Sequence, residues 1–316
     1  PQQQPPQQQQ QQHRRQLALA PALSTPLLAL SQQQLSLMPP QPQPQQQQPQ
    51  LLQQKELKLP NTPRLELPFG ASTPGVAGKV WELSQQASGC REVQFALEES
   101  NAGVRRALAL EFRGHVWDAL YSPHANFVLQ KCVATLEPDA LQFMIDELVC
   151  GSAEKAAKSK FGCRVFQRLV ERCPGDQASP LVEAVITDFA AVARHPYGNY
   201  VVQHLLEHAA PDTRRRLSLL IESNVRGLAA DTFGGTVVGG ALSKAPWEHR
   251  LSLARALLRA QGLLAFIAGT RHGHTAAIRA LQVLQGPEYE EARHTLLAAE
   301  ATLRTSKYGR VVLENL

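Results

Sequence analysis

From about Lys79 onward, apolar residues fall at helical spacing between short polar or Gly/Pro breaks. In the stretch 199–208, Val202, Leu205 and Leu206 stand at i, i+3 and i+4, an inward stripe, while Asn199, Tyr200, Gln203 and Glu207 share the other side. This pattern predicts a helix over 199–208. Ala210, Pro211 and Asp212 end it, and a second helix over 213–223 turns Leu217, Leu220 and Ile221 inward. A third, short segment over 225–231 leads to the next turn at Phe233-Gly234. The same punctuation recurs as Ser88-Gly89, Phe161-Gly162, Tyr197-Gly198, His272-Gly273 and Tyr308-Gly309, with His124-Ala125 as the one departure. Each glycine is expected there for its tolerance of unusual dihedrals.

A polar triplet rides on the same register. It reads Cys90-Arg91-x-x-Gln94, Asn126-Phe127-x-x-Gln130, Cys163-Arg164-x-x-Gln167 and Asn199-Tyr200-x-x-Gln203, with first positions 36, 37 and 36 residues apart. It continues in degraded form at Gly235-Thr236-x-x-Gly239, His274-Thr275-x-x-Ile278 and Arg310-Val311-x-x-Glu314. The gap from Gly235 to His274 is 39 residues, and the three extra ones are expected to loop out between helices. A period in this range means stacked helical units, because no unit of this size buries its apolar stripe alone. Positions one, two and five of a helix share a face and present a small group, a flat stacker and an amide, which is what reading one nucleic-acid base requires.

Composition divides the chain in two. Residues 1–78 are Gln, Pro and Leu tracts with few charges and almost no aromatics, which predicts a disordered tail, since such a segment cannot bury enough apolar surface to offset chain entropy. Residues 79–316 are the repeat domain. The net charge of +5 says little about partners once divided: residues 1–80 hold six Lys or Arg against two acids, leaving 26 basic and 25 acidic residues beyond them. Attraction to phosphate must then come from placement, with Arg91, Arg164, Lys131 and Arg168 near the triplet face. Five cysteines show neither a C-x-x-C pair nor a framework spacing, which fits a reducing compartment. Arg14 and Arg15 precede an apolar stretch from Leu17 to Leu30, but Pro21 and Pro26 interrupt it, so it is not read as a secretion signal. No apolar run is long enough to predict a membrane span. A start at Pro1 and a stop at Leu316 inside a repeat are expected of a piece of a longer chain, with an eighth repeat beyond.

On Gly89-Cys90-Arg91-x-x-Gln94, Asn126-Phe127-x-x-Gln130-Lys131, Gly162-Cys163-Arg164-x-x-Gln167-Arg168 and Gly198-Asn199-Tyr200-x-x-Gln203, the sequence resembles the Pumilio (PUF) family of single-stranded RNA-binding proteins. The resemblance runs from about Val80 to Leu316. It implies an all-α fold, a right-handed curved α-solenoid of about seven stacked three-helix repeats, with one base read per repeat and the N-terminal repeat on the 3′-most base. Base edges would fall to Cys90, Gln94, Asn126, Gln130, Cys163, Gln167, Asn199 and Gln203. Stacking would fall to Arg91, Phe127, Arg164 and Tyr200, and phosphates to Lys131, Arg168 and His204. Paired amides suit uracil, whose edge alternates acceptor, donor and acceptor, and a small thiol leaves room for adenine. In family polarity the four complete repeats predict 5′-UAUA-3′.

The resemblance further implies a monomeric, cytoplasmic, non-enzymatic regulator of messenger RNA without a cofactor, working through recruited proteins of the deadenylase or translational-repressor kind. The family's usual grip on a 5′ UGU element is not expected, because the last three repeats lack amides and stackers. Two other readings share the same repeats: a helical scaffold for protein partners whose RNA code has decayed, and a nucleolar PUF-like factor acting on ribosomal precursors. His204-Leu-Leu-Glu207-His208 matches the H-x-x-E-H zinc-peptidase pattern. With no third ligand evident nearby in sequence, it is read as a polar helix surface, and no metal site is expected.

Overall fold

The computed structural model describes residues 75–316, and among them all regular structure is helical. The expected disordered tail lies outside the described residues, apart from 75–78. Six three-helix units follow one another. They are α1 (Val80–Ser84), α2 (Ala87–Glu99) and α3 (Ala102–Leu110); then α4 (Val116–Tyr121), α5 (Ala125–Thr135) and α6 (Gln142–Cys150), with a 3₁₀ turn at Pro138–Leu141 before α6. Next come α7 (Ala153–Lys158), α8 (Gly162–Arg172) and α9 (Gly175–Thr187), then α10 (Phe189–Ala193), α11 (Gly198–His208) and α12 (Pro211–Ser223). The fifth unit is α13 (Val225–Ala229), α14 (Gly234–Lys244) and α15 (Trp247–Arg259), and the sixth α16 (Leu263–Ala268), α17 (His274–Val283) and α18 (Gly286–Ala298). A seventh holds α19 (Glu300–Thr305) and α20 (Lys307–Leu313).

The middle helices pack in series, α2 on α5, then α8, α11, α14, α17 and α20. This is the stacked α-solenoid the repeat implied. Its core is continuous: Val202, Leu205 and Leu206 of α11 are fully buried, as are Leu217 and Ile221 of α12, while Leu220 is half-buried. Each apolar stripe is covered by the next unit as well as by its own.

The recurrent glycine has a different reason from the one expected. None of Gly89, Gly162, Gly198, Gly234, Gly273 and Gly309 has a positive φ. Instead, each sits where the middle helix starts beneath the end of the short first helix. A Cβ on Gly89 would come within 2.5 Å of the Leu83 carbonyl oxygen, on Gly162 within 2.7 Å of that of Ala156, on Gly198 within 2.5 Å of that of Val192, and on Gly234 within 2.6 Å of that of Leu228. Gly273 and Gly309 meet Ile267 and Leu303 in the same way. The partner is always six residues upstream. The constraint is a close approach of two backbones, tolerable to alanine only at Ala125.

Positive φ is found at both length changes, as well as at Gly78, Gly114 and Gly286. In the unit with the 37-residue period, Ser152 takes φ 96° between α6 and α7. In the 39-residue unit, Gly262 takes φ 73° between α15 and α16. The extra residues are thus absorbed mainly where a third helix hands over to the next first helix, and the middle row keeps its stacking.

Ion pairs between neighbouring units line the outer surfaces. Arg216 of α12 holds Glu183 of α9 with both guanidinium ends at 2.5 and 2.9 Å, Arg255 of α15 reaches Glu288 of α18 at 2.7 Å, and Lys131 of α5 reaches Glu98 of α2 at 3.0 Å. Exposed pairs of this kind contribute at most about 1 kcal/mol each, so they set register more than stability.

Gly234→Ala should lower the unfolding free energy by about 1–3 kcal/mol, because the added methyl meets backbone rather than a yielding side chain. Gly175→Ala, where no heavy atom lies within 4 Å of the new carbon, should leave stability unchanged or raise it by up to about 1 kcal/mol. Urea titrations of both variants check this, and equal effects would contradict it.

Candidate nucleic-acid interface

Each of the first six triplets lies near the start of a middle helix and the seventh runs to the end of α20, so the triplets form a row along the stack. The row does not present all three positions equally. The first is almost covered, with Cys90 at 4 %, Asn126 at 1 %, Cys163 at 3 % and Asn199 at 2 % exposure. These side chains brace the entry of the chain into its helix. Asn126 Nδ2 donates to the Ser122 carbonyl at 2.7 Å, and Asn199 Nδ2 to those of His195 and Pro196 at 2.9 Å each. The Cys90 thiol donates to the His124 carbonyl of the next unit at 3.1 Å, and the Cys163 thiol lies 3.5 Å from the Lys160 carbonyl. Burial pushes both thiols above their ordinary range, which keeps them neutral donors.

The fifth position leans on the first. Gln130 Nε2 donates to Asn126 Oδ1 at 3.0 Å, Gln203 Nε2 to Asn199 Oδ1 at 3.1 Å, and Gln94 Nε2 to the Cys90 sulfur at 3.1 Å. In the second unit, one N–H of Asn126 and both an N–H and the carbonyl oxygen of Gln130 are left over, two donors and one acceptor. In the fourth unit Asn199 is more fully engaged, since Thr236 also approaches its Oδ1 at 3.3 Å. What remains there belongs mainly to Gln203. Gln167 is arranged differently: it is buried, and its Oε1 accepts from Arg164 at 3.1 Å.

The second position is the presented one. Phe127 is 47 % and Tyr200 42 % exposed, and Arg91 and Arg164 are exposed as well. The Arg164 guanidinium carbon lies 5.9 Å from the Tyr200 ring centroid. This is a cation–π contact between the second positions of adjacent repeats.

Two of the expected phosphate contacts already have partners within the protein. Lys131 is engaged by Glu98, and His204 Nε2 lies 3.2 Å from Glu171 Oε1 of α8. Position six of a middle helix faces the preceding unit, so these side chains tie units together. Arg168, at the same register, is half-buried. One polar residue of this register escaped the triplet pattern. Arg279, at position six of the sixth unit, donates to the Gly239 carbonyl and fills the space where the fifth unit lacks an amide side chain. The recurrence of Lys131, Arg168 and His204 at that position was the available signal.

The remaining C-terminal triplets sit as their sequences imply. Gly235 and Gly239 are buried, Val311 is 40 % exposed, and the His274 ring rests 5.0 Å from that of Tyr308. The expectation that H-x-x-E-H has no third ligand fails in space. Glu171, 33 residues upstream, is brought beside His204 and His208 by the stacking of α8 on α11. Among the described residues no helix is long and apolar enough to cross a membrane.

Stacked three-helix units with one row of polar and planar side chains define a helical-repeat solenoid with a surface for an extended, repeating ligand. The family model described as the Pumilio-family RNA binding repeat matches residues 79–111, 122–149, 157–186 and 188–221, the four units with complete triplets. Over these four units the chain carries Pumilio-family repeats. Among curated relatives it is 24 % identical to Pumilio homolog 12 of Arabidopsis thaliana over 240 residues, covering 76 % of this chain and 40 % of that protein. It is 30 % identical to Pumilio homolog 9 of the same plant over 169 residues, 52 % of this chain and 30 % of that one. The chain thus spans less than half the length of either relative. Its fold is shared with PUF-8, solved in complex with PBE-RNA, at a TM-score of 0.70 and 23 % identity over 76 % of this chain and 71 % of that one. The Puf3 RNA binding domain bound to a Cox17 RNA 3′ UTR recognition sequence gives 0.66 and 19 % over 75 % and 73 %.

Removing the first-position brace should cost more stability than removing the fifth-position amide. Asn199→Ala removes both side-chain donations to the carbonyls of the corner and is expected to cost about 1–3 kcal/mol. Gln203→Ala, half-exposed, should cost less than about 1 kcal/mol. Denaturant unfolding of the two variants compares them, and the reverse order would contradict the bracing role.

Proposed function

We propose that this protein is a non-enzymatic, sequence-selective reader of single-stranded RNA, taking one base at each of its first four repeats with a preferred core of 5′-UAUA-3′. The observation that carries this reading is the register: four repeats place a planar, exposed side chain and a glutamine at the same two points of successive helices. The free N–H and carbonyl of the half-buried Gln130 match a donor and an acceptor on the uracil edge, which offers acceptor, donor and acceptor. Gln167 would turn from Arg164 to an adenine edge as Arg164 moves aside to stack. The RNA named with PUF-8 and Puf3 supports the same class of ligand here.

Binding energy then comes mostly from stacking at the second position, about 1–3 kcal/mol per base. Repeats five to seven carry Thr236, Thr275 and Val311 there and contribute little of it. The account therefore favours a short site and an affinity below that of an array with a platform at every repeat. We further read the protein as a cytoplasmic regulator of messenger RNA that acts through recruited proteins, because nothing in the presented row is built for chemistry. A scaffold reading draws on the exposed Leu219 and Trp247 of α12 and α15, at 50 % and 45 %, which offer an apolar foothold on the row of third helices.

Replacing Phe127 and Tyr200 together with Ala should weaken binding to a UAUA-containing RNA by about 100-fold or more, with helical circular dichroism unchanged. Unaltered affinity would remove the stacking role. Asn199→Ser with Gln203→Glu should shift the preference at the first base from U toward G, since a carboxylate accepts from guanine N–H groups. Competition binding with the four RNAs that differ at that base reads the outcome, and an unshifted preference would refute base-by-base reading.

A further inference from the structure

We propose that Glu171, His204 and His208 form a binding site for a divalent ion of the Zn²⁺ class that clamps the third repeat to the fourth. His204 and His208 are one turn apart on the same face of α11, and their rings lie 4.4 Å from centroid to centroid. Two histidines at i and i+4 are a known helical arrangement for holding such an ion. Glu171 comes from the C-terminal end of α8, with one carboxylate oxygen 3.2 Å from His204 Nε2. One donor atom from each of the three residues lies within 4.8 Å of the others. In a tetrahedral site with metal–ligand bonds of about 2.0–2.2 Å, donor atoms sit roughly 3.4 Å apart. The trio must contract by about 1 Å, a movement open to Glu171 and His208, whose side chains are 45 % and 44 % exposed.

The competing explanation is an ordinary tie between repeats. Glu98 and Lys131 make one with the same 33-residue offset as Glu171 and His204. Two features separate the fourth repeat from it. A lysine ammonium needs only its carboxylate, whereas here the cation is replaced by an imidazole and a second imidazole is added one turn later, where the second repeat has Thr135 and the third Arg172. Moreover, His204 Nε2 is buried and, with Glu171 Oε1 3.2 Å away, makes no hydrogen bond of good geometry. A buried ring nitrogen without a hydrogen bond, facing a carboxylate and a second imidazole, is satisfied by a metal ion in a way that it is not by its neighbours.

The set His, His and carboxylate is of borderline softness, which selects Zn²⁺ and its first-row neighbours over Mg²⁺ or Ca²⁺. Glu207, the acid of the H-x-x-E-H pattern, pairs with Lys244 of the fifth repeat, and the same oxygen lies 4.0 Å from His208 Nε2. The three ligands come from two adjacent repeats, so an ion held by them would tie those repeats together. Because His204 follows Gln203 directly, an ion here would also fix the helix face that carries the fourth-repeat amide.

The test is titration of the full 316-residue chain, metal-free and with thiols reduced, with Co²⁺ and Zn²⁺. One saturable site is expected, with the ligand-field absorption of tetrahedral Co²⁺ bleached by Zn²⁺ and with a rise in the thermal midpoint on Zn²⁺ addition. His208→Ala and Glu171→Gln should each weaken binding by at least about 100-fold, the upper end of what loss of mere outer-shell support costs. Circular dichroism verifies that both variants keep their helices, and His294→Ala, remote in sequence and exposed, should bind as the parent does. Absence of a saturable site, or equal affinity in His208→Ala and the parent, would overturn the proposal.

Discussion

The structure depends on a backbone contact. In six of the seven repeats the middle helix begins so close beneath the end of the preceding short helix that the residue there has no room for a side chain. That approach fixes the angle at which one helix is delivered to the next, and the angle fixes where the triplet sits. Since no repeat buries its apolar stripe alone, each must accept the geometry of its neighbour, and one tight corner repeated along the chain becomes a straight register of middle helices. The insertions respect this constraint. They enter mainly after the third helices, at Ser152 and Gly262, where a left-handed residue takes up the slack and the corner is untouched.

Much of this was legible in the sequence, because it depends on periodicity. The three-helix plan, the unit boundaries and the inward faces of α11 and α12 follow from spacing alone, and Asn199–His208 differs from the observed helix by one residue. What was not legible depends on proximity across repeats. The glycine signature was visible, but a punctuating glycine looks the same whether it serves a positive φ or a close approach. The covering of Asn126 and Asn199 could not be read either, since helical spacing gives a direction and not the depth of the neighbour that covers it. Arg279 beside Gly239 and Glu171 beside His204 are likewise products of stacking, separated by about one repeat in sequence.

The triplet then emerges as a division of labour. The first residue is spent on the fold, through bonds to the carbonyls of the corner it follows, and it holds the fifth-position glutamine in place. The second residue stands outside and carries the flat surface. Under the proposed function, preorganisation of this kind would let a glutamine meet a base edge without first losing its rotamer freedom. Where the division breaks down, in repeats five to seven, small residues and borrowed arginine fill the same positions, and the helices still stack. Stacking and the polar triplet are thus separable features of one register, which is why the stack continues where the triplet is incomplete.

The central claim is that the first four repeats read bases and do not merely attract phosphate. Its most direct measurement is equilibrium binding of this chain to a short single-stranded RNA carrying 5′-UAUA-3′, against the same RNA carrying 5′-GCGC-3′, at near-physiological salt. The account predicts clear preference for the first RNA. Equal, strongly salt-dependent affinity for both would mean phosphate contact alone, and would contradict it.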